Sequence, residues 1–450
     1  MNGLSVDRRV NLGATARDRP VNRNYGETQS RFLLGLLPAI FLLLIVLGPW
    51  LIRIWFDVGL LVTIWISALS IIGVVYFMGS RLVISKLERN FLFYSFALAL
   101  ALSLVSLWSP DPVYSIPRAI VSSLFLGFAL FLGSRLSIYM LTGPRLFFSI
   151  VNRGLIVFFL FLLYGYYFIP EFSSGAGGFR LSGGINPNTV GMYCLYVIIW
   201  SMLARAIIGR DVFSNNFLLL LVLIALLLSF SRASWLAVFL LFLFSFLFGC
   251  KLEAIKRGAK YAVPVVVIGA VYLLVSGAPD FLAGYLSYFD RRVFVAIEMD
   301  SNVLSRASAW NLLMAEFYRS PLVGSFGWYS ATKFLSASGI ADQASSPHGL
   351  YVRLLPEVGL LGFIAVLGLP LSAAFVASLS VLRIRKSKNP IRKREIRIYS
   401  VLVGGLVSIF MGRELFEDSY LVSYINGTTL IVAFLVAFIF NMRSLSKRQR

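Results

Sequence analysis

The sequence predicts an all-α polytopic membrane protein with about twelve transmembrane helices, a large folded outer (periplasmic) loop, and both termini in the cytoplasm. Three observations carry this reading. First, 58% of the 450 residues are hydrophobic and only 14% charged, against roughly 45–50% apolar and about 25% charged in a soluble domain. Second, apolar runs of span length recur along the chain. Third, the basic residues gather in alternate connections. A mean hydropathy of +0.83 agrees. Composition alone excludes a soluble enzyme, a disordered chain and a disulfide scaffold.

A span needs roughly 20 apolar residues to cross a hydrocarbon core of about 30 Å. Runs bounded by charges and turn residues fall at 32–50, 58–78, 91–108, 113–133, 146–169, 189–208, 214–229, 233–249, 261–276, 359–382, 398–412 and 420–440. The implied organisation is a basic cytoplasmic tail (1–31), nine spans (32–276), an outer loop ending in a short helix (277–358), three spans (359–440) and a second basic tail (441–450). No small-residue cleavage site closes the first run, so it reads as an anchor. With the N-terminus inside, the inner segments hold 29 of the 41 Lys and Arg residues, as the positive-inside rule requires. The stretch RIRKSKNPIRKREIR (383–397) alone carries eight of them. The net charge of +21 is therefore assigned to topology and to contact with anionic membrane lipids, not to nucleic acid. The long loop at 277–347 holds amphipathic pieces and a Gly/aromatic turn, LVGSFGWY, and is expected to be folded.

Charges at the outer edge of a helix bundle are rare and expensive, and each one asks for a function. Arg118, Arg180, Arg232, Arg306, Arg353 and Arg413 all map to that edge. Arg232 lies in SFSRAS (229–234), between apolar runs of about 15 and 17 residues. One continuous helix would set it deep in lipid, at roughly 2.5–3.5 kcal/mol. A turn at Ser-Phe-Ser-Arg, below the outer surface, is the cheaper solution. The alternative is an arginine that snorkels to the headgroups. Arg180 belongs to GAGGFRLSGGINPNTVG (175–191), a Gly-rich loop that excludes regular helix. Such a loop with an arginine can cradle a phosphate through exposed N–H groups, or it is simply a re-entrant turn.

The one histidine, His348, opens SSPHGLYVRLLPEVGLLG (345–362). Ser346 suits an N-cap and Pro347 the first helical position. His348 is thus expected in a first helical turn, where the dipole favours a neutral imidazole able to act as a base. Pro356 is expected to kink this helix, giving a short helix at 347–355 before the span from 359. In an ideal helix Glu357 faces away from His348. Metal chemistry has little support: one histidine and two distant cysteines, Cys194 and Cys250, make neither a zinc site nor a disulfide. Glu298 and Asp300 are the nearest approach to a cation-binding pair. No cofactor is expected. A base and several arginines facing a membrane cavity suit a phosphate or pyrophosphate, and on the outer face its simplest carrier is a lipid.

Four stretches resemble the O-antigen ligase and polymerase superfamily of bacterial inner membranes: FRLSGGINPN (179–188), SFSRASWLA (229–237), RASAWNLLMAEFYRSPLVGSFGW (306–328) and HGLYVRLLPEVGLLG (348–362). The last is the specific one, similar to a His-Asn-x-Tyr-Leu…Glu-x-Gly-Leu-x-Gly pattern. The resemblance implies a glycosyltransferase that takes a glycan from undecaprenyl pyrophosphate on the periplasmic side of the inner membrane. It further implies a metal-independent, inverting reaction with His348 as the base. Arg180, Arg232 and Arg306, with Glu357, would serve the pyrophosphate and glycan. The acceptor is a sugar hydroxyl of lipid A core for a ligase, or a second lipid-linked glycan for a polymerase. Gly349 stands where the family has Asn, which bears on that choice. A flippase or transporter without chemistry is the reading from another class, although the notable residues gather on one face and no internal repeat is visible.

Overall fold

The computed structural model describes residues 85–174, 180–183, 186–209, 213–249, 301–338, 349–385, 390–415, 417, 420–421 and 427–448. The expected spans at 32–50, 58–78 and 261–276, the Glu298/Asp300 pair, Cys250 and His348 lie outside these residues.

Helices α1 (Lys86–Ser106), α2 (Pro112–Thr142), α3 (Pro144–Phe168), α4 (Pro187–Ile208), α5 (Phe213–Ser229) and α6 (Arg232–Leu247) follow one another with short connections. After them come α7 (Ser301–Arg319), α8 (Ala331–Ala337), α9 (Leu350–Ile384), α10 (Pro390–Val407) with a π-helical extension (Ser408–Arg413), and α11 (Gly427–Arg448). A two-residue ladder pairs β1 (Ser173–Ser174) with β2 (Arg180–Leu181). Among the described residues, seven helices are long and apolar enough to cross a membrane, and α5 and α6 contribute shorter apolar helices at Asn215–Ser229 and Arg232–Leu247. Nine of the twelve expected runs therefore fall on helices.

Local sequence explains the boundaries. Ser85 and Glu88 form a capping box at the start of α1. Proline opens α2, α3 and α4, where its missing N–H is no loss. Asp111 caps α2 by accepting from the Tyr114 N–H at 3.1 Å. Gly209, with φ 81°, ends α4 in the left-handed conformation that glycine adopts freely. The last expected run started too early. Tyr420 and Leu421 lie in a turn and α11 begins at Gly427, because the Leu421 N–H donates to Thr429 Oγ1 at 3.0 Å and the Tyr420 N–H to Glu414.

Glu88 meets Arg135 at 2.6 Å and Ser95 donates to the Ser123 carbonyl at 2.5 Å, so α1 and α2 run antiparallel. The same alternation brings the connections at 107–111, 169–186, 230–231 and 414–421 to one end of the bundle. Arg135, Arg145, Arg205, Arg383 and Arg385 belong to the other end, which is rich in basic residues. Helix α4 is buried along most of its length and forms the centre of the bundle. Asn441 of α11 donates to Ser134 and Ser137 of α2, a polar tie of the kind that fixes helix register in a medium without water.

Candidate active site

Three interruptions of regular helix meet at the less basic end. The first separates α5 from α6. Phe230 adopts φ 49°, a conformation that an aromatic residue holds only under constraint. The constraints are local. Ser229 Oγ accepts from the Ser231 N–H at 3.3 Å, Trp235 Nε1 donates to the Leu226 carbonyl at 3.0 Å, and the Phe230 and Trp235 rings lie 6.1 Å apart. Ser231 and Ser234 press against α4 at Gly191, where an added Cβ would come within 2.5 Å of Ser231 Cβ. The turn expected at Ser-Phe-Ser-Arg thus exists, and Arg232 is exposed at the first position of α6.

Arg180 reaches the same turn. Its Nε donates to the Ser229 carbonyl at 3.3 Å and its Nη2 to the Phe230 carbonyl at 3.5 Å. A guanidinium at the C-terminal carbonyls of α5 complements the negative end of that helix. Arg180 and Arg232, far apart in sequence, therefore flank one turn.

The second interruption is the π-helical extension and the turn after it. Glu414 is fully buried. It pairs with Arg413 at 2.9 Å, accepts from the Tyr420 N–H at 2.9 Å, and its carbonyl accepts from the Leu350 N–H at 2.9 Å. Glu417 Oε1 accepts from Asn188 Nδ2 at 2.7 Å, which ties this turn to the start of α4 and the loop of Arg180. Tyr420 is enclosed, and burial holds its phenol well above the usual range. Gly349, extended at φ 174°, is the N-cap of α9. The helix accordingly begins at Leu350, after the extended Gly349, and the Leu350 N–H, which has no partner within the helix, donates to Glu414. A Cβ at 349 would lie 3.2 Å from the Leu415 carbonyl and 3.6 Å from Trp310 of α7. A side chain here would press on the Leu415 carbonyl and meet Trp310 in ordinary contact. Arg306 lies one turn before Trp310 on α7, with its side chain outside the described residues.

The third interruption is in α9. The kink falls at Gly359, with φ 62° and ψ −170°, not at Pro356. The loop after α7 enters the gap. Ser325 N–H donates to the Pro356 carbonyl at 2.7 Å and Gly327 N–H to the Glu357 carbonyl at 2.9 Å. In return Leu360 N–H donates to the Pro321 carbonyl at 2.8 Å and Leu361 N–H to that of Leu322 at 3.1 Å. Broken helix inside a membrane bundle is tolerated only where other groups satisfy its backbone, and this loop does so.

Below the kink, Arg353 and Glu357 are both fully buried, 3.8 Å apart. Glu357 Oε1 accepts from the Ala331 N–H at 3.0 Å, capping α8, and Arg353 Nη2 donates to the Tyr420 carbonyl at 3.2 Å. The Arg353 guanidinium also lies 5.5 Å from the Trp328 ring and 5.3 Å from that of Tyr329. Glu357 thus touches the protein's own segment 328–331. Arg353 and Arg413 are buried among protein partners, whereas Arg118 stacks on Tyr114 at 3.4 Å. Nearby, Lys333 pairs with Asp111, joining α8 to the start of α2, and this ammonium holds the Asp111 carboxyl below the usual range.

Glu414, Glu417, Asn188, Trp310 and Trp328 were not singled out from the sequence. The cue for the acids was present in RELFED (413–418), where carboxylates interrupt apolar runs. Among the described residues no group of three or more His, Cys, Asp or Glu side chains is arranged to hold a metal ion.

Among the described residues, a nearly all-helical fold with seven membrane-length apolar helices, interrupted at one end, fits a multi-pass membrane protein. Residues 217–367, about a third of the chain, are similar to the family model described as O-antigen ligase. The matched region runs from α5 through the kink of α9 and includes the turn at Arg232, α7 and the His348 segment. No curated protein matches the chain.

Proposed function

We propose that this protein is an inner-membrane O-antigen ligase that moves a glycan from undecaprenyl pyrophosphate to a sugar hydroxyl of lipid A core on the periplasmic side. The observation that carries this reading is that Arg180 binds the α5–α6 turn that Arg232 follows, while Leu350, two residues after His348, donates to the Glu414 carbonyl in the turn that Glu417 ties to Asn188. Two arginines at one turn suit a pyrophosphate, whose oxygens match the paired donors of a guanidinium. In the proposed step His348 takes the proton of the acceptor hydroxyl. Its oxygen attacks the anomeric carbon from the face opposite the pyrophosphate, and the carbon–oxygen bond to the leaving group breaks. Undecaprenyl pyrophosphate departs with the bonding electrons and the anomeric centre inverts. Arg180, Arg232 and Arg306 stabilise the charge that develops on the leaving oxygens, the kind of interaction that is often the largest catalytic contribution. The reaction as written needs no metal or cofactor. Glu357 acts by positioning segment 328–331 and the start of α9.

The test uses purified protein in lipid without added metal, supplied with a defined undecaprenyl-pyrophosphate glycan. A single shifted product that requires lipid A core is the expected result. A ladder from donor alone would instead establish a polymerase. No product in either lane, with the donor verified, would overturn both and favour a transporter. A second prediction concerns the arginines. Arg180→Lys and Arg232→Lys keep the charge and lose the planar fork. Each is expected to weaken donor handling by about tenfold, the equivalent of roughly 1.4 kcal/mol, read as kcat/KM for donor. Unchanged kinetics in either variant would remove that residue from the site.

A further inference from the structure

At the basic end of the bundle, opposite the site above, α3, α4 and α5 enclose a cavity of about 320 Å³. Its polar lining is Arg145, Ser149 and Asn152 of α3, Arg205 of α4 and Asn215 of α5. Asn215 and Ser229 belong to the same helix, 14 residues apart, so roughly 21 Å separates this cavity from the carbonyl that Arg180 caps. The two are distinct places.

The cavity is built, not incidental. Asn152 and Asn215 are 1% and 2% exposed, and a hydrogen-bond chain sets their amides. Trp200 Nε1 donates to Asn152 Oδ1 at 3.0 Å, Asn152 Nδ2 to Asn215 Oδ1 at 3.4 Å, and Asn215 Nδ2 to the Ser201 carbonyl at 3.4 Å. Arg205 is oriented by Asn216 Oδ1. None of the lining residues is acidic. Two guanidiniums, a hydroxyl and two amides thus face one space, a donor set that selects an anion with several oxygens. The volume falls at the lower end of small-ligand sites.

The mouth indicates which anion. Arg145 and Leu146 are both exposed at the start of α3. The same helix exposes Val157, Leu160 and Tyr164 farther along, a surface suited to acyl chains. An exposed arginine next to an apolar helix face sits where a lipid headgroup meets its tails, and basic pockets between membrane helices on the cytoplasmic side hold anionic headgroups. We propose that this cavity binds the phosphodiester headgroup of an anionic lipid of the inner leaflet. The lipid would join α3, α4 and α5 at the end remote from glycan chemistry. The inference does not depend on which glycan reaction the protein performs.

Purified full-length protein in nanodiscs of phosphatidylcholine, with or without added phosphatidylglycerol, tests it through bound lipid counted by native mass spectrometry and through thermal unfolding. Wild type is expected to retain phosphatidylglycerol and to melt higher with it. Arg145→Gln, at an exposed position, is expected to weaken retention by about tenfold, since bonds to charged groups contribute roughly 1.5–3 kcal/mol. Ser149→Glu, which leaves both arginines in place, should abolish retention. Both variants should melt like wild type in pure phosphatidylcholine, which separates lost binding from lost folding. Equal retention in all three proteins would overturn the site. An equal thermal shift from inorganic phosphate would overturn the lipid as its source.

Discussion

His348→Ala is expected to lower glycosyl transfer by about 10²- to 10⁴-fold, the range that a positioned general base contributes. The loss should appear in kcat, with donor KM little changed, because the imidazole is assigned to the acceptor's proton and not to the pyrophosphate. The arginine variants should show the opposite division. His348→Gln offers a sharper control, since it retains hydrogen-bonding capacity but cannot take up a proton at neutral pH. Quantification of transferred glycan per minute decides the matter. Turnover within threefold of wild type in His348→Ala would remove the base from the mechanism. A transporter should tolerate either change.

The second large effect concerns folding. Gly359→Ala is expected to destabilise the protein by about 3–5 kcal/mol, combining a backbone region almost reserved for glycine with the loss of hydrogen bonds to the inserted loop. At φ 62° and ψ −170° the conformation alone accounts for about 1–3 kcal/mol. A Cβ there would also sit 2.4 Å from the Leu322 carbonyl carbon. That backbone cannot retreat without stretching the Leu360 and Leu361 bonds to Pro321 and Leu322. Gly368→Ala is the matched control, on the same helix with nothing within 4 Å of the added atom. It should be neutral or slightly stabilising, because alanine is the better helix former. Thermal unfolding of the two variants side by side measures the difference. Equal melting would mean that the chain does not need glycine at the kink.

What the sequence disclosed, and what it withheld, follows from the range of each signal. Hydropathy runs are local and dense, so α1 and α3 to α6 emerge within about five residues of their expected ends, while α2 runs on nine residues past its expected end, to Thr142. The α5–α6 turn was legible for a different reason: an arginine between two runs too short to span has few places to go. The kink in α9 was misplaced because proline announces itself in sequence, while the decisive event was tertiary. Pro356 stays within the helix, and the break follows where the loop after α7 donates to the Pro356 and Glu357 carbonyls. No periodicity within 345–362 encodes that insertion. The start of α9 differs likewise: Gly349 is extended, and the first helical N–H is held by the Glu414 carbonyl, over 60 positions later in the chain. Arg180 and Arg232 were each suspected singly. Their sharing of one turn is a long-range fact, and so is the enclosure of Glu357 against Ala331.

Helices α5 and α6 have 17 and 16 residues, so each rises only about 24–26 Å. A full bilayer core is about 30 Å thick, and the two together create a hydrophobic mismatch on one side of the protein. The surrounding leaflet answers such a mismatch by thinning or dimpling towards the short pair. A dimple beside the turn flanked by Arg180 and Arg232 would draw the lipid–water boundary inward to meet them. In the proposed reaction a long-chain carrier would then present its phosphates to the arginines without being lifted out of the membrane. Two helices a few residues short would in that way let the protein shape its own solvent.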